Sequence, residues 1–173
     1  MIMKRVLCLF MAAAMTMSAA FLTGCNDDDD NGDKHAAPTL TLKGGDIKAV
    51  HEIQPTMSVV VDVTAPAGIS DLTVKIESPC LTAEVLGELG LAQTMNLVNP
   101  ATAEMAAGLK ELGFPVGDEV KNKTSLSINI SQLVPMIAMI YNQDSNHNFV
   151  LTVIDADKQK SVETLKFHLT PAQ

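Results

Sequence analysis

In several short runs of this chain, apolar residues recur at every second position, and that period admits only extended strands with one face buried. Leu72, Val74 and Ile76 alternate with Thr73, Lys75 and Glu77, and Leu126, Ile128 and Ile130 alternate with polar partners. Leu40 and Leu42 repeat the pattern between threonines and stop at Gly44-Gly45. Residues 57–64 instead hold a β-branched run, Val59, Val60, Val61 and Val63, which suits a strand covered on both faces. Residues 148–155 and 162–169 form two last strands, joined by the polar turn Ala156-Asp157-Lys158-Gln159.

The period changes to helical between residues 81 and 117. Leu81, Val85, Leu86 and Leu89 share a helical face, with Thr82 as cap. A second helix is predicted from Asn99 as cap and Pro100 as first helical residue, through Met105, Leu109 and Leu112, to a stop at Gly113. Ser131 is expected to cap a third apolar segment over residues 133–141, with Pro135 in its first turn. Six strand segments, short helices in the crossovers and a closing hairpin predict a mostly β fold, a Greek-key β-sandwich with a helical insertion at 81–117. The runs Ile69-Ser70-Asp71-Leu72-Thr73-Val74 and Phe149-Val150-Leu151-Thr152-Val153-Ile154-Asp155 resemble the immunoglobulin-like modules of bacterial surface proteins. That resemblance spans residues 38–171 and implies an immunoglobulin-like sandwich. The glycine usual in the closing turn is absent, with Lys158-Gln159 near its place.

Ahead of this domain, Lys4 and Arg5 precede an uncharged apolar run over residues 6–22, the n-region and h-region of an export signal. The run ends on Leu22-Thr23-Gly24-Cys25, which resembles a bacterial lipobox. The resemblance implies that residues 1–24 are removed and that Cys25 carries the lipid. Several acyl chains make such attachment durable, each buried methylene contributing about 0.8 kcal/mol. Asn26 and the run Asp27, Asp28, Asp29, Asp30 resemble the acidic export signal of Bacteroidetes lipoproteins, which directs them to the exterior of the outer membrane. The same aspartates also suit a solvated spacer, so residues 25–37 read as a lipidated, flexible tether. Asp27, Asp29, Asn31 and Gly32 match the first half of an EF-hand loop, but Pro38 stands where a bidentate Glu is required.

Charge and residue types narrow the chemistry. The leader carries two of the 12 basic and none of the 20 acidic residues, so the net charge of −8 becomes −10 after cleavage. Such a chain is poorly suited to nucleic acid, and its membrane contact is expected to be the lipid. With Cys8 in the leader and Cys25 acylated, Cys80 has no disulfide partner and is expected to be a buried small hydrophobe. His35, His51, His147 and His168 show no ligand spacing and are expected on the surface or on strand faces, so no metal or cofactor is called for. No nucleophile elbow is present, and Glu84, Glu88, Glu104, Glu111, Asp118 and Glu119 read as the solvated face of the insertion. The expectation is therefore a non-enzyme.

What remains is recognition. The primary expectation is a non-catalytic protein-interaction or scaffold module, meeting a protein partner through the insertion at 81–117. Met57, Met95, Met105, Met136 and Met139 lie mostly in or near helical segments and are expected as core filler. The alternative is an accessory glycan-binding lipoprotein of a carbohydrate-uptake system, which needs aromatic platforms against sugar C–H groups. Phe149 and Phe167 fall in strands and read as core, leaving Tyr141 and Phe114 as candidate platforms.

Overall fold

The computed structural model describes residues 34–171, which are mostly β. The order is β1 (Thr39–Leu42), β2 (Val50–Glu52), β3 (Val60–Thr64), β4 (Ile69–Glu77), α1 (Ala83–Glu88), β5 (Thr94–Asn96), α2 (Ala103–Glu111), β6 (Ser125–Asn129), α3 (Leu133–Ile140), β7 (Ser145–Asp155) and β8 (Lys160–Leu169). The strands form two sheets, one ordered β1-β3-β6 and the other β2-β8-β7-β4-β5. All pairings are antiparallel except β2 with β8, which is parallel.

Alternation sets the register. Leu72, Val74 and Ile76 lie opposite Val153, Leu151 and Phe149, and all six are buried. From the other sheet, Val61, Val63 and Ile128 complete the same core. Phe149 and Phe167 meet edge to face with centroids 5.6 Å apart, as expected of core aromatics. A β-bulge lies between Ile69 and Asp71, where the Ser70 hydroxyl reaches the carbonyls of Ile154 and Asp155 at 3.0 and 2.7 Å. The β7–β8 hairpin closes with Lys158 at φ +62°, the left-handed conformation that glycine would adopt without strain.

Several boundaries differ from expectation. Strands β2 and β5 have only three residues each, too few to show a period. Thr82 caps α1 by accepting from Val85 N–H at 3.3 Å, as predicted. For α2 the cap is Thr102, which accepts from Met105 N–H at 3.0 Å, and not Asn99. Asn99 is instead held in the turn after β5, where Asn96 Oδ1 accepts from Val98 and Asn99 N–H. Ser131 does not cap α3: its hydroxyl accepts from Val59 N–H at 2.9 Å and ties the helix entrance to β3. His35, ahead of the expected domain boundary, already contacts the closing hairpin; its backbone N–H and its ring Nδ1 meet Asp157 Oδ2 at 3.0 and 2.9 Å.

The segment at 81–117 is woven into the fold. It supplies β5 to the five-stranded sheet, and its Leu86, Met95, Leu97, Leu109 and Phe114 are buried in the common core. Gly108 is the close-approach point: a Cβ there would run into the Leu89 carbonyl oxygen, so α1 and α2 touch through backbone.

Candidate functional site

One end of the five-stranded sheet gathers most of the domain's unusual polar chemistry. The parallel β2–β8 pair ends there, placing Glu52 opposite His168, and the chain leaving α3 crosses the same end before entering β7. Together they outline a recess of about 300 Å³ lined by Glu52, Gln54, Tyr141, Asn142, Thr170 and Pro171. Tyr141 is half-buried, and its hydroxyl donates to Gln143 Oε1 at 3.3 Å. Just before it, Met139 is 83% exposed and Ile140 47% exposed, the only large apolar side chains of α3 so presented.

Beside the recess, His168 bridges two carboxylates. Its Nδ1 lies 3.0 Å from Glu52 Oε1 and its Nε2 lies 3.3 Å from Asp144 Oδ1. The Thr170 hydroxyl donates to Glu52 Oε2 at 3.1 Å. Desolvation works against charge on this ring, but the two carboxylates outweigh it and raise the His168 pKa above 6.5. Through these contacts the imidazole links β2, β8 and the loop after α3.

His147 behaves oppositely. It is fully buried in β7, with Nδ1 2.8 Å from the Ser78 hydroxyl and Nε2 2.9 Å from the Ser145 hydroxyl. Ser145 donates to the Gln143 carbonyl at 2.9 Å, so towards the ring it accepts, and the proton belongs on Nε2. Nδ1 then accepts from Ser78, whose oxygen accepts from Leu81 N–H at 3.1 Å. Cys80, buried as expected, lies with Sγ 3.4 Å from the same hydroxyl. Burial first, and the neighbouring His168 second, hold the His147 pKa below 6.5. With both nitrogens engaged, this neutral imidazole is a structural tie with no lone pair open to a substrate.

The candidate residues separate accordingly. Tyr141 lines the recess, whereas Phe114 is 2% exposed within the core and is closed to a ligand. That corrects its reading as a platform: Gly113 turns at φ +82° after α2 and the next side chain folds inward. Cys25, Asp27, Asp28, Asp29 and Asp30 lie outside the described residues. His147 stands one residue ahead of the strand expected over residues 148–155; it lies within β7 at the period of Phe149, Leu151 and Val153, so alternation traced back from Phe149 identifies it. The segment at 81–117 contributes to a second, more open recess of about 440 Å³ beside Pro100, Ala106, Lys110, Asp118 and Glu119. Among the described residues, no group of three His, Cys, Asp or Glu side chains is arranged to hold a metal ion, and no helix is long and apolar enough to cross a membrane.

No protein-family model and no curated protein matches the chain. Among solved structures, it is similar to the PmoD soluble domain from Methylocystis sp. ATCC 49242 (Rockwell), with 16% identity and a TM-score of 0.30, covering 76% of this chain and 90% of that one. A likeness at that level carries no argument about fold or function.

Proposed function

We propose that the chain is a lipoprotein of the outer-membrane exterior whose immunoglobulin-like Greek-key sandwich is a non-catalytic protein-interaction module. The exposed Met139 and Ile140 beside the Tyr141 recess carry the interaction reading, because large apolar side chains are retained in water there while most others are buried. They move the expected surface away from 81–117, whose apolar residues are occupied in the core. The immunoglobulin-like reading is supported by strand order. The order β1-β3-β6 follows A-B-E, and β8-β7-β4-β5 within the five-stranded sheet follows G-F-C-C′, with β2 added parallel to β8 at its edge. Anchoring rests on Cys25 and its leader, and exterior display on Asp27 to Asp30.

Three experiments test these parts separately. Cys25→Ala is expected to abolish palmitate labelling and leave an uncleaved or released chain; labelling that persists refutes the anchor. Replacing Asp27 to Asp30 with Ala is expected to remove the domain from protease attack on whole cells, and unchanged accessibility makes the run a spacer. Met139→Glu is expected to abolish partner binding without loss of stability, since the side chain is exposed.

Glycan binding is the second reading. It is favoured by Tyr141 sharing its recess with Gln54, Asn142 and Thr170, an aromatic face ringed by hydrogen-bonding groups. A glycan array probed with the chain, and loss of the signal in Tyr141→Ala, would select this reading over protein recognition.

A further inference from the structure

Strand β6 ends the three-stranded sheet, with β3 on one side and no described strand on the other. Its hydrogen-bond phase is fixed by Ala65 N–H to Thr124 O at 2.8 Å and Ile130 N–H to Val59 O at 2.9 Å. Alternation along an antiparallel pair then turns the backbone groups of Leu126 and Ile128 towards β3. The N–H and C=O groups of Ser125, Ser127 and Asn129 face outward. Folded proteins usually blunt such an edge with charge, proline or a bulge, and Ser125-Leu126-Ser127-Ile128-Asn129 has none of these. The other edges differ: β2 carries Glu52, β5 has only three residues, and β1 lies against β8 through Ser161 and Pro38 O.

We infer that β6 is a self-pairing edge, through which two copies of this chain join antiparallel about a twofold axis at Ser127. The occupant follows from the strand's own symmetry. Centring the axis on Ser127 sets Ser127 against the second copy's Ser127 and Ser125 against its Asn129, polar opposite polar on the outer face. On the core face it sets half-buried Leu126 beside the second copy's Ile128, which is already buried, so the gain there is the cover given to Leu126. The five residues overlap fully, all outward backbone groups find partners, and about six new backbone hydrogen bonds continue the sheet. No like charges meet, although each copy is acidic overall. Added salt therefore tightens the pair by screening long-range repulsion, the reverse of an ion-paired interface.

The test uses the full chain in detergent micelles. Hydrogen-bonded antiparallel residues stand about 5.5 Å apart at Cα, within disulfide reach, so Ser127→Cys is expected to yield a disulfide-linked dimer under mild oxidation. The unsubstituted chain controls for Cys8, Cys25 and Cys80, and Glu111→Cys on α2 controls for random collision. Ser127→Lys places like charges on the axis at an exposed position and gives up the Ser127 hydroxyl's bond to Asp62 Oδ1 at 2.6 Å; it is expected to convert a dimeric mass in analytical ultracentrifugation to a monomeric one while circular dichroism shows a folded chain. A monomeric unsubstituted chain, cross-linking no better than Glu111→Cys, a dimer that survives Ser127→Lys, or a cross-link to a species of different mass each overturns the inference.

Discussion

Replacing His147 with Leu removes both ring hydrogen bonds while nearly conserving side-chain volume. Ser145 keeps its bond to the Gln143 carbonyl, but the Ser78 hydroxyl loses its acceptor and has only Cys80 Sγ, 3.4 Å away, as a weak substitute. One poorly satisfied half-buried hydroxyl and two lost bonds cost about 1–2 kcal/mol. Urea unfolding at neutral pH with unchanged m-value measures this directly. The pH dependence gives a second reading. Because the folded His147 pKa is depressed, its neutral form is the stable one. Its contribution is complete above 6.5 and is lost as pH falls from 6.5 through the folded value. His168 is raised, so its contribution is complete below 6.5 and is lost as pH rises through its folded value. The two histidines together produce a stability maximum near pH 6.5, and His147→Leu flattens the acid flank alone. A variant within about 0.5 kcal/mol of the original, or one with the same acid flank, refutes the assigned hydrogen-bond chain.

Three further outcomes follow from packing. Phe149→Ala empties a fully buried site against Phe167 and is expected to cost about 3–5 kcal/mol by chemical denaturation. In thermal unfolding, Gly108→Ala is expected to lower the midpoint because its Cβ meets the Leu89 carbonyl, whereas Gly87→Ala, with nothing within 4 Å, raises it; equal shifts contradict the contact. Lys158→Gly relieves a left-handed residue in the closing turn and is expected to stabilise by about 1 kcal/mol. A neutral result there shows that the turn opens without strain.

Long alternating runs made β4, β6, β7 and β8 legible from the sequence, because a one-residue slip would expose the apolar face of each. Strands β2 and β5 were not legible: three residues form a strand only when a neighbour offers its edge, and that neighbour is distant in sequence. Caps were read correctly where the polar side chain had no competing partner, as at Thr82. They were misread at Ser131, whose hydroxyl is claimed by Val59 from across the fold. The recess illustrates the same limit. Tyr141 was visible as the lone tyrosine, but Glu52, Asp144 and His168 come from three separate segments and share no spacing.

The most direct test of the interaction reading is photo-cross-linking in living cells from a benzophenone side chain at position 139, compared with one at position 111 on α2. A discrete adduct with a partner protein is expected from position 139 alone and is lost when Ile140 is also made Glu. Adducts from position 111 and none from position 139, or equal diffuse labelling from both, would contradict it.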